Sequence, residues 1–312
     1  MKLRSGGHCE VFCVRLPTLL PSALTKARVL SLCLSAALLS SCARRIKPEL
    51  LERVRLGTNQ IQVNGPVLAP MVGDRVIPII EVRLNGRGPY RFLLDAGGNV
   101  VSIRKSVAEE IRAVVLQKLS SRTVVQIESL EMSGLLLRNV HAVGEPVLDV
   151  DGVIGFNVFR EGLLTIDYVH RQLRWERGTL PEPNGRDVIS YELRDRMPYV
   201  SARIGDATIP MNLDTGADAP FIFPLKAAAS LRLATRVSEG PEVWNQASGG
   251  MKTRSAVLEE PLMLGEHAIQ RPRVLFQSSL NEYLIGSGFL RDFIVTFDTT
   301  NRRLRLVRAR RP

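Results

Sequence analysis

The 312-residue sequence predicts a mostly β protein made of two similar lobes in one chain. Three features lead there. First, a frame of alternating strand, tight turn and returning strand occurs twice, and each copy ends on a carboxylate: Phe92 and Leu94 lead into Asp95, Met211 and Leu213 into Asp214. Second, the landmarks that follow keep step. Gly134 to Gly155 and Gly265 to Gly286 both span 21 residues, and Gly155 to Asp167 and Gly286 to Asp298 both span 12. Third, a breaker-rich stretch, Gly178-Thr179-Leu180-Pro181-Glu182-Pro183-Asn184-Gly185, separates the copies. Matching content at matching spacing is the mark of an internal duplication.

Residues 1–42 stand apart from both copies. Lys26 and Arg28 precede an apolar run from Val29 to Leu39, which ends Leu39-Ser40-Ser41-Cys42. A basic start, a short apolar stretch and small residues before a cleavage point describe an export signal, and the run is too short to remain as a spanning helix. With Cys directly after Leu-Ser-Ser it resembles a bacterial lipoprotein signal, which implies cleavage before Cys42, diacylation of Cys42 and, with Ala43 next, an outer-membrane anchor facing the periplasm. An ordinary export signal with an incidental cysteine is the competing reading. Cys9, Cys13 and Cys33 all precede that point, so the remaining chain carries Cys42 alone and no internal disulfide.

Residues 43–75 read as a tether with a short helical stretch near Glu49 to Arg55. The first lobe, 76–177, opens with a hairpin in which Ile80, Val82 and Leu84 alternate into an Asn85-Gly86 turn. After the Asp95 turn, Lys105 to Val115 has helical spacing; strands follow, and a hairpin from Leu163 to Trp175 closes the lobe. Residues 178–187 form the linker. The second lobe, 188–312, repeats the plan: Val200, Ala202 and Ile204 alternate into Gly205-Asp206, and a last hairpin runs from Ile294 to Val307. One interval differs. Asp95 to Gly134 is 39 residues but Asp214 to Gly265 is 51, and the extra length includes Val243 to Met251, a polar tip with Gly249 and Gly250 between strand-like flanks.

Charge narrows the partners. The chain is basic, 42 Lys and Arg against 31 Asp and Glu; without the first 41 residues 37 remain against 30, a net +7. Arg44, Arg45 and Lys47 beside Cys42, and the arginines from Arg302 to Arg311, would favour an anionic membrane surface; an ordinary solvated face fits equally well. No aromatic-basic interleaving suggests nucleic acid. The four His show neither H-E-x-x-H nor paired spacing, so the residues point to no metal and no Ser-His-Asp triad.

The apolar-Asp-Thr-Gly-Ala turn at Asp214, with Ile285-Gly286 downstream, resembles the retropepsin-like and pepsin-like aspartic peptidases. The resemblance covers roughly residues 76–312. It implies two β-barrel lobes that form a single-chain pseudo-dimer around a central cleft, and an endopeptidase without cofactor, acting on peptide or protein substrates through Asp95 and Asp214. It also implies that Gly97, Thr215 and Gly216 support the two turns, that Asp218 contacts substrate backbone and that the longer interval of the second lobe holds a flap with Gly249 and Gly250. The first lobe departs from the pattern: Ala96 replaces the Thr, Gly98 the Ala, and Asn99 stands where the second substrate-contacting Asp would be. Two other readings fit the same residues, a second lobe active only as a homodimer and a non-catalytic peptide-binding envelope protein.

Overall fold

A computed structural model describes residues 46–57, 60–146, 149–245 and 249–308. Cys42 and the export segment, residues 246–248 of the expected flap, and Arg310 and Arg311 lie outside the described residues.

The first element, helix α1 (Pro48–Leu56), follows from its ends: Pro48 and Glu49 open it, Arg53 and Arg55 occupy its last turn, and Gly57 stops it at φ +70°. It buries Val54 against Ile46, Val124 and Val143. Strands β1 (Gln60–Gln62) and β2 (Val67–Pro70) come next. The stretch read as a tether is therefore committed from Gln60 onward, because Val67 and Ala69 alternate inward and carry β2 onto a neighbouring strand.

The N-terminal half continues with β3 (Ile79–Leu84), β4 (Arg87–Asp95), β5 (Val101–Arg104), helix α2 (Lys105–Glu110), β6 (Val114–Lys118), β7 (Thr123–Met132), β8 (Leu135–Glu145) and β9 (Gly152–Gly155). Helix α2 is shorter than its spacing suggests, because Arg112 takes φ +55° and Val114 starts a strand. Six strands close into a barrel in the order β8-β5-β9-β4-β3-β7, with β7 pairing back onto β8. Closure leaves those strands no open edge. A hairpin, β10 (Leu163–Asp167) and β11 (Gln172–Glu176), ends this half.

The C-terminal half runs through β12 (Val188–Arg194), β13 (Met197–Ile204), β14 (Ala207–Asp214), β15 (Phe221–Pro224), β16 (Ser238–Glu239), β17 (Val243–Asn245), β18 (Gly249–Met251), β19 (Arg254–Val257), β20 (Leu262–Leu264), β21 (His267–Ile269), β22 (Arg273–Gln277), β23 (Tyr283–Gly286), helix α3 (Ser287–Leu290), β24 (Phe293–Asp298) and β25 (Arg303–Arg308). Its strands follow the order β22-β15-β23-β14-β13, as β8-β5-β9-β4-β3 do. The counterpart of β7 is divided, β19 pairing with β22 and β20 with β13. Pro261 falls between them, and a residue without an N–H interrupts a ladder that Thr123 to Met132 continue unbroken. β17 and β18 form a separate two-stranded hairpin.

The halves share one sheet. β10 pairs antiparallel with β24, Thr165 opposite Thr296, and the order β2-β11-β10-β24-β25-β12 carries strands from both sides. Asp167 and Asp298 hold its two turns, accepting from His170 N at 2.9 Å and Asn301 N at 2.9 Å. Mostly β architecture with a closed barrel thus follows from alternation and turn chemistry.

Candidate active site

Asp95 ends β4 and Asp214 ends β14, each after a fully buried pair, Leu93-Leu94 and Asn212-Leu213. Each strand runs parallel beside the strand of the downstream Gly motif, so Asp95 pairs with Gly155 and Asp214 with Gly286. The turns then fold back onto their own carboxylates. Gly97 N–H donates to Asp95 Oδ1 at 2.9 Å, while Gly216 N–H and Ala217 N–H both donate to Asp214 Oδ1 at 3.0 Å.

The two turns meet face to face. A Cβ on Gly97 would sit 2.8 Å from Asp214 Cγ, and one on Gly216 would sit 2.9 Å from Asp95 Cγ. Only glycine permits that approach. The carboxyl groups consequently reach each other by hydrogen bond. Both are half-buried, deep in protein on one side and open to solvent on the other.

Burial raises the Asp95 carboxyl, opposed by donors at Gly97, Asp214, Gly216 and Gly98. Burial, then the Asp95 charge, push Asp214 well above the usual range against the Ala217 N–H; its bond to Asp95 and the charge of Glu282 add to the rise. Two acids in contact cannot both ionise, so one proton is held between them. The pair titrates as a unit, and Asp214 is the carboxyl raised further.

Thr215, fully buried, ties the turns together: its Oγ1 accepts from Ala96 N–H at 2.8 Å and donates to Leu94 O at 2.7 Å. Ala96 has no hydroxyl to return. A second tie arises elsewhere. Ser287 Oγ donates to Thr215 O at 2.7 Å, and Tyr168 OH, 2.8 Å away, donates in turn to Ser287. Tyr168 follows β10 of the N-terminal half, so that half still grips the Asp214 turn, through a phenol instead of a threonine. Sequence reasoning passed over both residues, although Ser287 sits directly after Gly286, where the other half has Phe156.

The remaining expected site residues separate. Asp218 is half-buried, and its carboxylate has no partner among the described residues. Asn99 is buried and donates to Asp195 Oδ2 at 2.7 Å, in the β12–β13 turn; Asp195 also meets Arg55 of α1 at 3.5 Å. The Asn99 amide is thereby engaged across the halves. Gly249 and Gly250 lie in β18, opposite Asn245 and Trp244. The base of that hairpin stands next to the Asp214 turn, because Val243 packs with Ala217, Ala219, Leu280 and Leu284. In the N-terminal half the corresponding β6–β7 hairpin belongs to the eight-stranded sheet that contains the barrel, and Lys47, just before α1, donates its backbone N–H to Gln117 Oε1 at 3.0 Å.

No curated protein matches the chain. Residues 200–289, which carry β14, the Asp214 turn, the β17–β18 hairpin and Gly286, match the family model described as aspartyl protease, and the similarity supports a general aspartic protease function.

Proposed function

We propose that this chain is an aspartic endopeptidase whose single site is built from Asp95 and Asp214, on two halves derived from an internal duplication. The observation that carries the reading is the reciprocal seating of Gly97 against Asp214 and Gly216 against Asp95, which leaves one proton for two carboxylates. That division of protonation is the pattern known from aspartic proteases themselves.

In the reaction, ionised Asp95 takes a proton from a bound water as its oxygen attacks the peptide carbonyl carbon, and Asp214 gives its proton to the carbonyl oxygen. The resulting diol collapses when Asp95 passes its proton to the amide nitrogen. The C–N bond breaks, and Asp214 recovers a proton from a diol hydroxyl. Asp218 contacts the backbone of the bound peptide, and the β17–β18 hairpin closes over it.

A mixed peptide library assayed by mass spectrometry from acidic to neutral pH tests the reading. Hydrolysis requires Asp95 ionised and Asp214 protonated. The rate is expected to fall in acid as Asp95 gains a proton and to fall again as Asp214 loses its own. Because both carboxyls are raised, the window is displaced upward from that of two ordinary carboxylates. No cleavage at any pH would leave a peptide-binding protein as the better reading.

We further propose a lipid-anchored position in a bacterial envelope, facing the periplasm at the outer membrane, on the strength of Leu39-Ser40-Ser41-Cys42-Ala43. Cys42→Ala is expected to move the protein from the membrane to the soluble fraction and to abolish fatty-acid labelling. Equal labelling of both forms would overturn the assignment.

A further inference from the structure

Beside Asp214 the C-terminal half gathers a carboxylate, a phenol and a buried amide. Glu282 opens the approach to β23, which runs parallel to β14 with Met211 opposite Tyr283 and Asp214 opposite Gly286. Its carboxylate accepts from the hydroxyl of Tyr199. Tyr199 is the cross-strand partner of Asn212, two residues before Asp214 and on the same face of β14.

Asn212 is 1% exposed. Its Nδ2 lies 3.8 Å from Met197 Sδ, but its Oδ1 is buried without a hydrogen-bond partner among the described residues. An amide oxygen buried and unmatched costs about 1–3 kcal/mol, and a donor arriving from outside would satisfy it.

The corresponding position in the other half is treated differently. Asp151, four residues before Gly155 as Glu282 is before Gly286, meets Arg104 at 3.1 Å and accepts from Arg91 N–H at 2.9 Å. Glu282 is half-exposed and has no ion pair among the described residues. Arg194 stacks 5.0 Å over the Tyr199 ring and pairs with Glu192 at 3.2 Å. A carboxylate served by one hydroxyl keeps lone pairs to fill, and its negative charge faces a dyad that already carries one.

We propose that Glu282, Tyr199 and Asn212 form an acceptor for a basic side chain, Lys or Arg, of a peptide bound beside the scissile bond. The inference rests on the aspartic peptidase reading and adds its substrate class. An ammonium supplies donors to the oxygens of Glu282, which Tyr199 holds, and of Asn212, and its alkyl stem lies along the apolar wall at Leu284. Glu282 selects by charge, Asn212 by an acceptor that only a donor-bearing side chain satisfies.

The test uses peptides identical except for one position occupied by Lys, norleucine or Glu. Binding is measured on the Asp95→Asn chain by fluorescence anisotropy, and hydrolysis on the chain with both acids. Lys peptides are expected to bind about tenfold or more tightly than norleucine peptides, the size of one charge-assisted hydrogen bond. Glu282→Gln brings that ratio close to one, and Glu282→Lys inverts it in favour of Glu peptides. Thermal unfolding of both variants at the wild-type midpoint shows that the fold is intact; if Glu282→Gln unfolds early, the Glu282→Lys inversion decides. Hydrolysis without a Lys preference, or a preference that survives Glu282→Gln, overturns the acceptor and leaves the peptidase standing. A Lys preference in binding with no hydrolysis of any peptide overturns the peptidase and leaves the acceptor standing.

Discussion

Asp95→Asn and Asp214→Asn are each expected to lower kcat/KM for peptide hydrolysis by about 10³-fold or more, the scale at which one positioned acid or base acts. An amide at position 95 cannot take the proton of the water. At position 214 it imitates the neutral acid in shape but has no proton to give. Dilution separates this outcome from a two-chain site: rate per chain stays constant for a dyad within one chain, and Asp95→Asn would remain active if two copies of Asp214 did the work.

The same variants carry a stability signature. Both carboxyls are raised in the folded chain, first by burial, so the fold binds protons there that the unfolded chain releases. Their contribution is fully present below the unfolded carboxyl value of about 4 and is lost as pH rises through the higher folded values. Melting temperature is therefore expected to decline from acid toward neutral pH more steeply in the wild type than in either Asn variant. A parallel decline in all three would mean that the carboxyls are not held protonated.

Thr215→Val should be the most damaging change that touches neither carboxylate. Valine keeps the shape but strands Ala96 N–H and Leu94 O, which now meet one hydroxyl at 2.8 and 2.7 Å. Two buried groups left unmatched cost about 2–5 kcal/mol together, or roughly 5–15 °C in melting temperature at this chain size. Activity should suffer more, since a displacement of about 1 Å between reacting groups costs about 10²-fold. Thr215→Ser, which keeps the hydroxyl, should recover most of both. Wild-type melting and kcat in Thr215→Val would show that the halves are aligned by something else.

What the sequence revealed and what it concealed divide along physical lines. Period-two alternation around Asn85-Gly86 and Gly205-Asp206, the caps of α1 and the paired Asp turns are written over a few consecutive residues, and the described strands follow them. The Tyr168 to Ser287 bond joins residues 119 apart, and nothing near either residue signals it. Asn99 stands where the resemblance implies a substrate contact, yet its partner is Asp195, 96 residues on. The Pro261 break in the C-terminal half was visible as a residue, but its effect depends on which strands flank it. Asn212 was passed over as one polar residue in an apolar run, because an unmatched oxygen is a property of surroundings and not of spacing.

The sheet that joins β10 to β24 has a further consequence, in mass action. A site assembled from two separate chains is populated only when the chain concentration exceeds the dissociation constant, and each chain must give up translational freedom to build it. Here the halves are connected, so one presents itself to the other at an effective concentration on the order of millimolar, whatever the abundance of the protein. Assembly becomes a step of folding. It also frees each half to change alone: in a pair of identical chains the loss of a threonine hydroxyl would occur twice, whereas here Ala96 stands on one side only and Tyr168 answers for it from the same side.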